Sequence, residues 1–334
     1  MKKLLSIILC LVFALCLSFG CKKPDESTTL TLYCPDGAPA LSVARLINDD
    51  SIVNVDINVI PASTINGFVT GETPKADIAI MPVNAASKLL GSASTYQMLG
   101  VVTSGNLFLL KKQTEVDVTS SNIQTALIGK KVGVINLANV PGLTFKAILA
   151  DNNVPYCDYN GEVDVTKVNL VGLADGTAVT PASYCDYFVV PEPAATTKIN
   201  ATQGKLSLAG SLQALYGDGN GYPQAVLVAK KSVIADYSDV INSLVSSFDQ
   251  NYNWLVSNDT SANTIVNAIV SALPDGTAPT FTANNLNKTV IANCGIGFVS
   301  AKTAKASVLL YLNKINSITA NSFGTPTDGF FYAG

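Results

Sequence analysis

Residues 28–33 (TTLTLY) and 53–60 (VNVDINVI) alternate polar and apolar side chains, a period of two that predicts strands with one buried face. Between them Asp36-Gly37-Ala38-Pro39 opens a helix. Its proline stands where the first turn needs no N–H, and Leu41, Ala44 and Ile47 supply a buried edge. Asp77–Met81 is a short apolar strand that turns directly into a helix near Asn84. The same unit recurs where Val132–Ile135 is followed by a loop and a helix from Pro141-Gly142-Leu143-Thr144, and again in CDYFVVPEPAATTKI at 185–199. Strands alternating with helices in this way predict βα units and largely parallel sheets, with ligands bound outside the carboxyl ends of the strands.

Segments 99–112 and 222–231 are both extended, apolar and closed by Lys-Lys, and they bracket a block of about one domain's size. Two sheets are therefore expected, with these segments crossing between them. The expected division is 28–106 with 228–334 as one lobe and 107–227 as the other. Ile241, Leu244, Val245, Phe248, Tyr252 and Leu255 recur at helical spacing, as do Val308, Leu309, Leu312 and Ile315 in a final helix; both stripes read as core. Trp254 falls off the first stripe and reads as packing.

The front of the chain changes the picture from a globular body to an exported one. Met1-Lys2-Lys3 precedes an apolar run from Leu4 to Phe19, then Gly20-Cys21 and a polar Lys22-Lys23-Pro24-Asp25. Charge stays on the cytoplasmic side, the apolar run enters the translocon, and a small residue before cysteine suits lipoprotein signal peptidase. The run is shorter than the roughly 20 residues a membrane span needs. Residues 1–20 read as the signal peptide, Cys21 as the lipidated residue and 21–27 as its tether, although Ser18 stands where lipoproteins place a bulky aliphatic residue.

Cleavage removes Lys2 and Lys3, leaving 19 basic against 24 acidic side chains, a net of −5. No basic stripe interleaved with aromatics appears, so nucleic acid is excluded as a partner. The chain has no histidine, which removes Ser-His-Asp and Cys-His catalysis and the usual imidazole zinc ligand. No cofactor, metal or catalytic residue is expected. Cys34, Cys157, Cys185 and Cys294 lack metal-ligand spacing, and whether they pair or stay as buried thiols is open.

The order of segments resembles the type II periplasmic binding proteins of the nitrate, sulfonate, taurine and thiamine-precursor group. The likeness lies in PDGAPALSVARL at 35–46, DIAIMPVNAASKL at 77–89, SGNLFLL at 104–110, IGKKVGVINLANVPGLTFKAIL at 128–149 and DYFVVPEPAATTK at 186–198. NCGIGFVSAKTAK at 293–305 and FGTPTDGFFY at 323–332 extend it to the tail. The resemblance implies an α/β fold of two Rossmann-like lobes joined by two extended crossovers. It also implies a monomeric receptor that closes over a sulfonate-like or heterocyclic solute and delivers it to ABC permease subunits, held to the membrane by its lipid. The thiamine-pyrimidine synthases of the same superfamily use a histidine and a cysteine-rich segment that this chain lacks. A histidine-free enzyme on the same fold and an anchored surface interaction protein stay as alternatives.

Candidate ligand contacts lie at the expected strand ends. Asp36, Gly37 and Ala38 start the first helix, where backbone N–H groups can meet an anionic or carbonyl group, or where Asp36 and Gly37 only form a turn. Asn84 is a contact or a helix cap. Ser104, Gly105 and Asn106 precede the first crossover strand beside Thr103, and serve the cleft floor or a turn. Asn136, Asn139 and Thr144 flank the Pro141-Gly142 helix start, a loop the resembled family uses for binding. Glu192, between two prolines, accepts from a cationic ligand or complements the next helix's positive end. Tyr222 stacks on a ligand ring or packs the hinge. The one arginine, Arg45, lies on a helix, so no bidentate clamp on a carboxylate or phosphate is indicated.

Overall fold

A computed structural model describes residues 28–49, 54–89, 95–217, 219, 221–320 and 322–334. The leader, Cys21 and the tether lie outside the described residues.

Among the described residues twelve strands form two six-stranded sheets. The first is ordered β12-β4-β11-β3-β1-β2, from β1 (Leu30–Pro35), β2 (Val55–Ile60), β3 (Ile78–Pro82), β4 (Tyr96–Thr103), β11 (Ala225–Lys230) and β12 (Ile296–Ser300). The second is ordered β10-β5-β9-β6-β8-β7, from β5 (Leu107–Lys112), β6 (Lys131–Ile135), β7 (Tyr156–Asp158), β8 (Val168–Leu173), β9 (Tyr187–Pro191) and β10 (Leu206–Ser211). Central strands are apolar throughout because both faces are covered; Ile78, Ala79, Ile80 and Met81 of β3 are all fully buried. The chain passes to the second sheet through residues 104–106 and returns through 216–224. It rejoins the first sheet at Ala225, which pairs at once with Pro82 and Thr103, so Ala225–Leu227 belong with the first sheet and not with 107–227.

The expected units at β3, β6 and β9 form as read, followed by helices Val83–Ala86, Val140–Asp151 and Ala194–Ala201. The first unit differs. The helix stops after one turn, Ala38–Leu41, and Leu46–Asn48 form a separate 3-10 turn. Asn251, buried on the long Ser238–Val256 helix, takes over the backbone groups in between: its Nδ2 donates to Leu41 O at 2.9 Å and its Oδ1 accepts from Arg45 N at 3.1 Å. Trp254 is half-buried against the first sheet's core.

The two sheets do not have wholly separate cores. One apolar cluster runs from Met81, Met98 and Val226 of the first sheet through Tyr311, Tyr216 and Tyr222 to Val132 and Val134 of the second and Phe145 of the helix Val140–Asp151. The helix Ala301–Ile318 makes this join, lying on β4 and against Val140–Asp151. Cys34, Cys157, Cys185 and Cys294 are free thiols. Burial pushes the thiols of Cys34, Cys185 and Cys294 up. Among the described residues no helix is long and apolar enough to cross a membrane.

Candidate functional site

Strand direction decides where the site lies. In the first sheet β1, β2 and β3 are parallel and end at Pro35, Ile60 and Pro82. The registers Ala225↔Pro82, Ala225↔Thr103 and Ile296↔Thr103 bring the start of β11, the end of β4 and the start of β12 to that same edge. In the second sheet β6, β8 and β9 end at Ile135, Leu173 and Pro191, and Leu107↔Pro191 brings the start of β5 beside them. Asp36, Asn84, Ser104 and Gln224 therefore leave one edge, and Asn106, Asn136 and Glu192 leave the other. The crossovers join the two edges.

A hydrogen-bonded floor spans the join. Gln224 Nε2 donates to Asn106 Oδ1 at 2.8 Å, and Glu192 N donates to Asn106 O at 3.0 Å. Glu192, 4 % exposed, accepts from Thr196 N at 3.0 Å and from Thr196 Oγ1 at 2.7 Å, which caps the Ala194–Ala201 helix. Its Oε1 also accepts from Asn293 Nδ2 at 2.8 Å, a bond between the lobes. Ser104 N donates to Gly295 O at 2.9 Å, tying the first crossover to the start of β12.

The other expected contacts divide. Asp36 is engaged within its own lobe: Thr280 donates through both N and Oγ1 at 2.7 Å, and Gly37 N donates to its other oxygen at 2.8 Å. Gly37, at φ +103°, makes the turn into Ala38, and space opens beyond its Cα. Asn84 is the second residue of its helix and Pro82 the cap; no cap bond forms, and its buried Oδ1 has no partner. Asn136 and Asn139 are exposed on the loop before Val140–Asp151, and Asn139 caps that helix without a side-chain bond. Thr144 is not among the free donors of this loop. It is fully buried, and its hydroxyl pairs with that of Tyr311 at 2.8 Å, because Ala301–Ile318 covers that face of the helix.

Tyr222 takes the hinge-packing place. It is 1 % exposed and stacks on Tyr311 at 5.6 Å and 12°, with Tyr216 edge-on to both. Burial pushes its hydroxyl well up, with the neighbouring Tyr311 hydroxyl adding to the rise, and burial pushes that of Tyr216 to about 12. Lys314, over the Tyr216 ring at 4.8 Å, pairs with Asp151 across the lobes. Beside this cluster lies a cavity of about 540 Å³ lined by Ser104, Tyr216, Tyr222, Val299, Leu310 and Lys314 among others. A second, of about 350 Å³, is lined by Ser104, Gly105, Gln213, Asn293 and Gly295 among others. Ser104 and Gly221 line both, so the cavities meet at the crossovers.

Gly105 fixes this meeting point. Its φ is +84°, and a Cβ there would lie 2.8 Å from Tyr222 Cζ and 3.0 Å from Gln213 Cγ. Gly105→Ala should destabilise the protein by about 2 kcal/mol, from left-handed strain and crowding together. A urea midpoint unchanged from wild type would contradict this placement.

Gln213, Gln224, Asn293 and Tyr311 were not among the candidates of the sequence reading. Gln224 follows Tyr222-Pro223 at the return crossover and Asn293 opens the motif at 293–305, so a polar residue next to an apolar strand was the available signal.

The sequence matches no protein-family model and no curated protein. Solved structures do match over nearly the whole chain. An ABC transporter protein from Parabacteroides distasonis superposes with a TM-score of 0.70 at 18% identity, covering 92% of this chain and 99% of that one. The periplasmic aliphatic sulphonate binding protein SsuA from Escherichia coli gives 0.59 at 12%, covering 92% and 94%. The periplasmic nitrate-binding protein NrtA from Synechocystis gives 0.57 at 13%, covering 91% and 84%. The structural neighbours are thus ABC-transporter binding proteins of the sulfonate and nitrate group, and the two-lobed α/β fold is theirs.

Proposed function

We propose that the chain is an extracytoplasmic solute receptor, anchored by a lipid on Cys21, that closes its two lobes over a small molecule and presents it to an ABC permease. The carrying observation is the floor Gln224–Asn106–Glu192–Asn293, which links both lobes where their strand ends face each other. A molecule touching both edges favours the joined state by its differential affinity for it, and the permease can read that state. The structural neighbours support a binding role over catalysis.

A thermal-shift screen of residues 22–334 against sulfonates and heterocycles, the classes the sequence resemblance implies, tests the reading. A ligand at a hundredfold its Kd adds about 2.7 kcal/mol, a rise of roughly several degrees at this size. Stabilisation by no solute, with a partner protein bound instead, would favour a surface interaction role; turnover of a bound solute would favour an enzyme. Cys21→Ser in the full chain should move the protein from the membrane to the soluble fraction, and retention on the membrane would remove the lipid anchor from the account.

A further inference from the structure

The larger cavity, of about 540 Å³, stands apart from most of the strand-end contacts. Its wall is built from Val101 of β4 and Val299 of β12, from Leu310 and Lys314 of the helix Ala301–Ile318, and from Tyr216 and Tyr222 of the return crossover. β12 and β4 form one edge of the first sheet, and β11 separates them from β3, which leads to Asn84. Asp36, Asn84, Asn136, Asn139 and Glu192 are not on this wall. The volume lies within the roughly 300–1,000 Å³ that small-molecule sites occupy.

Two independent features mark the cavity as a place for a ligand. Val299 and Leu310 are large apolar side chains left 38 % and 54 % exposed, and both lie on this one wall. Tyr216 and Tyr222 are 6 % and 1 % exposed, and neither hydroxyl has a hydrogen-bond partner. A buried polar group left alone is costly, so the rings and their hydroxyls suit an occupant that is apolar along its body and polar at one point.

A phenol hydroxyl both donates and accepts, so the tyrosines do not set the charge of that polar point. Lys314 sets it. Among the described residues it is the one charged side chain on the wall. Its ammonium is held there by Asp151 and by the face of the Tyr216 ring, 4.8 Å away. An ammonium has three N–H donors, so the pairing with Asp151 leaves donors for a second carboxylate. A cation in the cavity would meet Lys314 as a like charge.

We propose that this cavity is a second binding site, outside the solute cleft, for an apolar molecule that carries one carboxylate. The proposal does not depend on the receptor reading, because it uses none of the facing strand ends.

Isothermal titration of residues 22–334 with phenylacetate, phenethylamine and phenethyl alcohol tests it, since the three share one apolar body and differ in the charge of the head. The expected result is a Kd of about 1 mM or tighter for phenylacetate, with the amine at least about tenfold weaker and acetate silent. Weaker phenylacetate binding than this, or an amine that binds as well as the acid, overturns the proposal.

Variants then place the bound acid. Leu310→Glu sits at an exposed helix position where the fold tolerates it, and should weaken phenylacetate by about tenfold or more. Lys314→Gln should do the same, while Lys314→Arg, which keeps the charge, should stay within about threefold. Asn139→Ala, in the loop of the solute cleft, should leave phenylacetate affinity unchanged. Unchanged affinity in Leu310→Glu, or a loss in Asn139→Ala, puts the acid elsewhere and overturns the proposal while the receptor reading stands.

Discussion

Tyr311→Ala is expected to lower stability by about 4 kcal/mol, the usual range for deleting a fully buried aromatic ring, with a further loss from leaving the Thr144 hydroxyl alone. Tyr311 is fully buried, stacks on Tyr222 and bonds to Thr144 from the opposite lobe. Its removal therefore empties the place where the two lobes share one core. Tyr311→Phe keeps the ring and should cost about 1–2 kcal/mol, the hydrogen bond and the orphaned partner only. Urea unfolding of both variants checks the account. A loss below about 1 kcal/mol for Tyr311→Ala would show that the helix Ala301–Ile318 does not hold the lobes together.

Gly142→Ala should also be severe, although alanine is the better helix former. In an unhindered helix interior the exchange gains up to about 1 kcal/mol. Here the new Cβ would fall 1.9 Å from the carbonyl oxygen of Leu137, and 2.6 Å from its Cα. That neighbour is backbone and cannot rotate away, so the loop carrying Asn136 and Asn139 must move. We expect a loss of about 3 kcal/mol and at least tenfold weaker solute binding, measured by urea unfolding and titration. A stabilised variant that binds normally would contradict the tight Leu137–Gly142 approach and the place of this loop in the site.

The sequence carried the architecture because its signal is local. Alternation over TTLTLY, the apolar run into Asn84 and the Pro141-Gly142 helix start each declare an element from neighbours a few residues away. Once strand direction follows, the facing edges follow too, which is why Asn84, Ser104, Asn106 and Glu192 were placed by position alone. What escaped was set by distant partners. Asp36 is engaged by Thr280, and Asn251 ends the first helix by bonding to Leu41 and Arg45, each more than 200 positions away. Thr144 reads as a free hydroxyl at a helix start, and only the packing of Tyr311 over it turns it inward. Tyr311 itself falls at helical spacing with Val308, Leu312 and Ile315, which marks it as core, while nothing local marks its role at the lobe junction.

The floor shows the same limit. Glu192 could be read either as a ligand contact or as the complement of the helix it precedes, and its two bonds to Thr196 realise the second reading. The bond from Asn293 adds a link between lobes that no local pattern announces, since the two residues lie 101 apart in sequence.

The central claim, that a small molecule controls how the lobes meet, is tested most directly by X-ray scattering of residues 22–334 with and without a saturating ligand found by titration. The account predicts a smaller radius of gyration with ligand, and a smaller response in Asn293→Leu, which lacks the bond to Glu192. A radius unchanged by every ligand that binds, in wild type and variant alike, would contradict it.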